Sequence, residues 1–164
     1  MVSMSVPDTN TQRLHTFAIP FRPQWSDMDQ NGHMRTTAYL AAAENSRMQY
    51  FAGSGFSAGE FARRGFGPVI QTDQLRYRSE LRLLEQAELS LQMAGLSPDG
   101  ARFMMRNTFT RADGTVAATV TSTGGWLDLG QRRLTSPPED LLRLLRDLAP
   151  TDDFADLSTP LAER

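Results

Sequence analysis

An α+β fold is expected: one long helix and an antiparallel sheet of about five strands. Three observations lead there. The segment "TTAYLAAAENSRMQYFAGSG", from Thr36 to Gly55, is rich in alanine, has helical spacing and ends at Gly53 and Gly55. Four later stretches alternate apolar and polar residues with the period of a strand. Two of these are joined by "RADGT", where the pair Asp113-Gly114 is a hairpin signal. A helix set against antiparallel strands makes an α+β domain. Small alanines on adjoining faces of the helix suit close packing on several sides, so the sheet is expected to curl around it.

The elements follow in order. A first strand is expected from Leu14 through Thr16, Ala18 and Phe21, made irregular or edge-like by Pro20 and Pro23. Thr36 or Thr37 is placed to cap the long helix. Its residues Tyr39, Ala42, Ala43, Ser46 and Tyr50 share one face, and Leu40, Ala43, Arg47 and Phe51 the next. "FSAGEFARRGFG" reads as a short helical turn followed by a glycine-punctuated loop. Strands are expected in "PVIQTDQLRYRSEL", "QAELSLQMAGL", "ARFMMRNTFTR" and "TVAATVTSTGGWLDL". "SPPEDLLRLLRDLAP" opens like a helix and carries Leu141, Leu142, Leu144, Leu145 and Leu148 at helical spacing. Residues 1–12 read as a disordered segment and residues 151–164 as an acidic, frayed tail, leaving residues 13–150 as one domain.

Composition narrows the chemistry. A net charge of -2 gives no electrostatic reason to expect nucleic acid or an anionic membrane surface. No apolar run is long enough to span a bilayer, and the N-terminus lacks the pattern of a secretory signal, so a cytoplasmic setting is expected. The absence of cysteine excludes disulfides and thiolate metal sites. All 17 basic residues are arginine, which excludes a Schiff-base lysine and a phosphate-loop lysine.

The stretch "WSDMDQNGHMRTTAY", residues 25–39, carries the functional question. Asp27-x-Asp29-x-Asn31-Gly32 imitates the opening of a twelve-residue calcium loop, which needs an oxygen ligand or water at its ninth position and a bidentate Glu at its twelfth. Counting from Asp27, those places hold Arg35 and Ala38. The calcium reading fails there, and no metal site is expected. The alternative is catalytic. Gly32 allows an unusual turn, and the helix that starts near Thr36 presents unpaired N–H groups at the positive end of its dipole. A carbonyl oxygen placed there is polarised, and an oxyanion is stabilised more. Asp29, on the connection leading to that terminus, supplies a carboxylate to the same carbonyl.

The stretch from Trp25 to Phe51 resembles the signature of the hotdog-fold acyl-CoA thioesterases of the 4-hydroxybenzoyl-CoA thioesterase type. Asp27, Asp29, Gly32, His33, Met34, Tyr39, Glu44 and Arg47 stand in register with it. "GPVIQTDQLRYRSEL" resembles the second strand of that family and "WLDLGQRRLTSPPEDL" its usual ending. The resemblance implies a hotdog fold over residues 13–150 and hydrolysis of an acyl-CoA or acyl-carrier-protein thioester. No cofactor is implied, since CoA is part of the substrate. It assigns Asp29 as nucleophile or general base and a backbone N–H near Thr36 as oxyanion donor. Many members carry Asn-Asn where this chain has Arg35-Thr36, which leaves the backbone donor in place. The resemblance also implies a homodimer or a dimer of dimers.

Other residues are read against plainer roles. Asp27 is expected to fix the turn. His33 can orient Asp29, donate to the thioester oxygen or simply satisfy the loop. Glu44 is the reserve carboxylate, with an ion pair to Arg47 as the plainer role. Gly32 and Tyr39 are candidate substrate contacts, and Arg76 and Arg78 candidate partners for CoA phosphates. Two rival functions stay open: a hotdog hydratase or dehydratase, and a non-catalytic acyl-CoA-binding module.

Overall fold

The computed structural model describes residues 14–159. The elements are β1 (Phe17–Phe21), a short 3-10 turn (Trp25–Asp27), α1 (Thr36–Gly53), α2 (Ala58–Arg64), β2 (Phe66–Tyr77), β3 (Ala87–Leu96), β4 (Arg102–Arg111), β5 (Val116–Asp128), β6 (Arg133–Thr135), α3 (Glu139–Asp147) and β7 (Pro150–Asp156). The sheet runs β1-β3-β4-β5-β2, with β6 paired to β5 and β7 paired to β3. The α+β class and the antiparallel pairing agree with the sequence reading. Residues 1–12, expected to be disordered, lie outside the described residues. No helix among the described residues is long and apolar enough to cross a membrane.

The strand count is seven, against about five expected. β6 is only three residues long, and is returned onto β5 by a turn in which Asp128 Oδ1 accepts the N–H groups of Gly130 and Gln131. β7 occupies the stretch expected to be a frayed acidic tail. Only Thr151 within it is buried, so it carries no apolar alternation. It is held instead by parallel pairing to β3 and by Arg106, which donates to both carboxylate oxygens of Asp153. The backbones come so close that a Cβ on Gly95 would meet the Ala155 carbonyl at 2.9 Å. Asp113-Gly114 forms the β4–β5 turn, with Gly114 at φ +86°. At β5 a Cβ on Gly124 would run into the Val69 carbonyl beside the bulge in β2, so only glycine fits.

One face of α1 packs on the sheet, burying Ala38, Tyr39, Ala43, Ser46, Arg47, Tyr50 and Phe51. Ala41, Glu44, Asn45 and Gln49 are exposed, so the close packing that the alanines suggested is one-sided in the single chain. Two apolar clusters form. One gathers Tyr39, Ala43, Phe109 and Val120 near the start of α1. The other surrounds Trp126, with Phe51, Phe61, Phe66, Phe103, Leu141 and Leu145. Between them lies a polar layer of Ser46, Arg47, Asn107 and Ser122, all buried. Buried polar groups are tolerated when they hydrogen-bond one another. Here Arg47 Nη1 donates to Asn107 Oδ1 at 3.1 Å and to Ser122 Oγ at 2.8 Å, and Asn107 Nδ2 donates to Ser46 Oγ.

The exposed ion pairs predict an acid sensitivity. Hydrogen bonds from Arg63 and then Arg64 hold the Glu60 carboxyl down to about 2, and Arg106 does the same for Asp153, also to about 2. Unfolded, these groups titrate near ~4. Their contribution is therefore complete above about pH 4 and is lost as pH falls toward about 2. The double variant Glu60→Gln, Asp153→Asn is expected to show a shallower loss of Tm between those pH values. Solvent screening keeps the difference small.

Candidate active site

The connection from the 3-10 turn to α1 is organised by two carboxylates. Asp27 Oδ2 accepts the Gln24 N–H at 2.8 Å, and the Asp27 carbonyl accepts the Arg35 N–H at 2.8 Å, so this residue closes the turn and anchors the start of the helix. Asp29 Oδ1 accepts the N–H groups of Asn31 at 2.8 Å and His33 at 3.1 Å. Its own N–H donates to the His33 carbonyl, and Gly32 completes the turn at φ +76°. Asp and Gly are the residue types that such a turn demands. Asp29 Oδ2 accepts no hydrogen bond among the described residues, and the side chain is exposed. One oxygen is thus fixed by the backbone and the other is open.

At the start of α1 the Arg35 carbonyl accepts the N–H groups of Ala38 and Tyr39. The N–H groups of Thr36 and Thr37 donate to no described residue. They are the unpaired donors of a helix N-terminus. No side-chain cap takes them, because Arg35 occupies the capping position. The Thr36 hydroxyl is engaged elsewhere, accepting from Tyr77 Oη at 2.7 Å.

These groups line one cavity of about 350 Å³, bounded by Asp29, His33, Thr36, Tyr39, Tyr77, Arg78, Ser79 and Glu80 among others. His33 Nε2 lies 2.6 Å from a Glu80 carboxylate oxygen, so its ring sits against β2's continuation and not against the Asp29 carboxylate. Tyr39 is buried, with its ring edge-on to Tyr77 and Phe109, and burial raises its hydroxyl pKa. It forms wall. Ser79 Oγ is buried without a hydrogen-bond partner among the described residues. Met34 roofs the loop, its N–H donating to the Leu81 carbonyl at 3.1 Å.

The cavity gathers Asp29, His33, Thr36 and Tyr39 from the sequence-derived set, together with Arg78. Arg76 does not line it. Strand alternation put Arg76 and Arg78 on one face, but β2 ends at Tyr77, and the N–H groups of Arg78 and Ser79 both donate to the Ala117 carbonyl. That irregularity breaks the alternation and brings Arg78 round. Glu44 also stands apart, exposed at a second cavity beside Arg47. No ion pair joins them, because Arg47 turns inward to Asn107 and Ser122. Tyr77, Ser79 and Glu80 were not among the candidates from sequence. The alternation that pairs Tyr77 with Ser79 was a usable signal; nothing local marked Glu80.

Solved structures share this architecture. A 1,4-dihydroxy-2-naphthoyl-CoA thioesterase from Synechocystis superposes with a TM-score of 0.72 at 14% identity, over 82% of this chain and 98% of that one. A hypothetical protein from Staphylococcus aureus in complex with CoA gives 0.75 at 18% identity, over 95% and 97%. A gentisyl-coenzyme A thioesterase gives 0.68 at 16% identity, over 77% and 99%. No curated protein sequence matches. The sequence profile of the thioesterase-like superfamily matches residues 23–145, which span the carboxylate loop, α1 and β2 to β5 and reach into α3. The chain therefore belongs to the thioesterase-like superfamily and has the hotdog fold of its members.

Proposed function

We propose that this protein hydrolyses an acyl-CoA thioester, with Asp29 as the catalytic carboxylate. One observation carries the reading: Asp29, with its open carboxylate oxygen, and Thr36, with its undonated helix N–H, line the same cavity. The thioester carbonyl oxygen sits on the Thr36 N–H, with Thr37 adjacent, and the carbonyl carbon faces Asp29 Oδ2. As general base, Asp29 takes a proton from water while the water oxygen adds to the carbonyl carbon. The resulting oxyanion is held by the helix N–H groups, which strengthen as charge develops. The C–S bond then breaks, the carbonyl re-forms and the thiolate takes up the proton. As nucleophile, Asp29 Oδ2 adds to the carbonyl carbon, the adduct collapses with loss of the thiolate to leave an anhydride, and water later cleaves it. A single turnover in heavy-oxygen water separates the two. Label found in the Asp29 carboxylate after one turnover identifies the nucleophile, with water cleaving the anhydride at the aspartyl carbonyl; the general base puts label into the acid alone.

His33 and Glu80 fix one wall of the cavity, and Arg78 offers a cation at its rim for CoA phosphate. The family's dimeric habit fits the outer edge of β2, which among the described residues pairs only with β5. The reading is supported by superfamily membership and tested by thiol release over acyl-CoAs of several lengths. Asp29→Asn is expected to lose turnover. Glu44→Gln, whose carboxylate lies at the other cavity, is expected to keep kcat within about threefold, well short of the effect of losing a general base. The reverse result would move the catalytic role to Glu44.

A further inference from the structure

The second cavity is unlike the first. It encloses about 240 Å³ and is walled by Met48, Phe51, Pro68, Ile70, Phe103 and Met105, with the Arg47 side chain in the wall and Glu44 at its mouth. Arg47 is 5% exposed. Its Nη1 serves Asn107 and Ser122, whereas Nε–H and Nη2–H donate to no described residue. These two nitrogens keep contact with solvent, and covering them with a ligand that offers no acceptor is costly. No carboxylate among the described residues touches the guanidinium directly. Asp73 reaches it only through Ser122, whose hydroxyl donates to Asp73, and Glu44 makes no ion pair with it. Burial lowers the Arg47 pKa from its ordinary value, and Asp73 and then Glu44 oppose that shift from a distance without reversing it. What the pocket lacks is therefore an acceptor more than a counter-ion.

Along α1 the cavity lies downstream of the carbonyl site. Thr36 and Arg47 are about eleven residues apart, roughly 16 Å along the helix, and side chains lean toward the helix N-terminus, which shortens the span to roughly 12–16 Å. Building on the proposed hydrolase reading, we infer that this pocket receives the distal end of the acyl chain, and that Arg47 selects thioesters carrying a neutral oxygen acceptor there, a hydroxyl or oxo group. An unsubstituted chain would fill the apolar walls and leave the guanidinium donors without a partner. A site built to hydrogen-bond an oxygen discriminates against the analogue lacking it more strongly than an apolar wall discriminates by size.

The test uses the full chain with dodecanoyl-CoA and ω-hydroxydodecanoyl-CoA. The hydroxylated thioester is expected to have a kcat/KM higher by at least about tenfold, the scale of one hydrogen bond to a charged group. Arg47→Met should bring the two substrates together. Ile70→Phe, which fills the cavity without touching the guanidinium network, should slow both and spare butanoyl-CoA. Calorimetry of the free acids, ω-hydroxydodecanoic against dodecanoic, reads the same preference without turnover. Acid binding that depends on Arg47, with no thioester cleaved, would overturn the hydrolase and keep the pocket. Brisk hydrolysis that treats both thioesters alike within about twofold, in wild type and Arg47→Met, would overturn the pocket and keep the hydrolase.

Discussion

Asp29→Asn is expected to lower kcat for thioester hydrolysis by about a hundred- to ten-thousand-fold, the range of a positioned acid–base group. The fold should survive. The asparagine oxygen can accept the same N–H groups of Asn31 and His33 that Asp29 Oδ1 accepts, and Asp29 Oδ2 takes no bond among the described residues. The thermal midpoint should move little, and KM should stay near its original value because the helix N–H groups still hold the carbonyl. That combination marks an interaction made in the transition state. Asp27→Asn is the matched control. Its carboxylate closes the turn from Gln24, and an asparagine oxygen preserves that bond, so activity is expected to persist. Full hydrolysis by Asp29→Asn would remove the carboxylate from the mechanism.

Trp126→Ala should produce the largest loss of stability from one substitution. The side chain is fully buried, and its ring meets Phe51, Phe61, Phe66 and Phe103 at centroid distances of 5.2 to 6.1 Å. Its Nε1–H donates to the Gly100 carbonyl at 3.0 Å. Truncating a buried tryptophan costs about 3–5 kcal/mol through lost burial and the cavity left behind. The bereft carbonyl adds about 1 kcal/mol. Against a typical total of about 5–15 kcal/mol, the variant is left with little margin. Urea unfolding measures it, with Trp126→Phe as the partner experiment. That variant keeps a ring among the aromatics and loses the hydrogen bond, so its loss should be distinctly smaller. Equal losses would show that the Gly100 contact, and not the packing, dominates.

The carboxylate loop was readable from residue types because its geometry is local. An aspartate accepting from residues two and four ahead, a glycine at positive φ and a helix start form within a few residues of one another. The antiparallel core strands were readable for a similar reason, since period-two alternation records burial on one face. β7 was not, because its acidic residues face outward and its stability comes from pairing with β3 and from Arg106, both distant in the chain. Arg76 and Arg78 looked equivalent until the backbone irregularity at Ala117 separated them.

Arg47 marks the boundary most sharply. Helical spacing offered it Glu44 as a partner, one turn away, and sequence has no way to weigh that exposed pair against a buried alternative. In the folded chain Asn107 and Ser122, on two neighbouring strands, meet the guanidinium and draw it into the layer between the two apolar clusters. Periodicity, turn chemistry and the Asp-Gly-His-Tyr motif were enough for the fold, the family and the carboxylate expected to act. Which side chains share a cavity depended on contacts between residues forty or more positions apart, made only when the sheet closes on the helix.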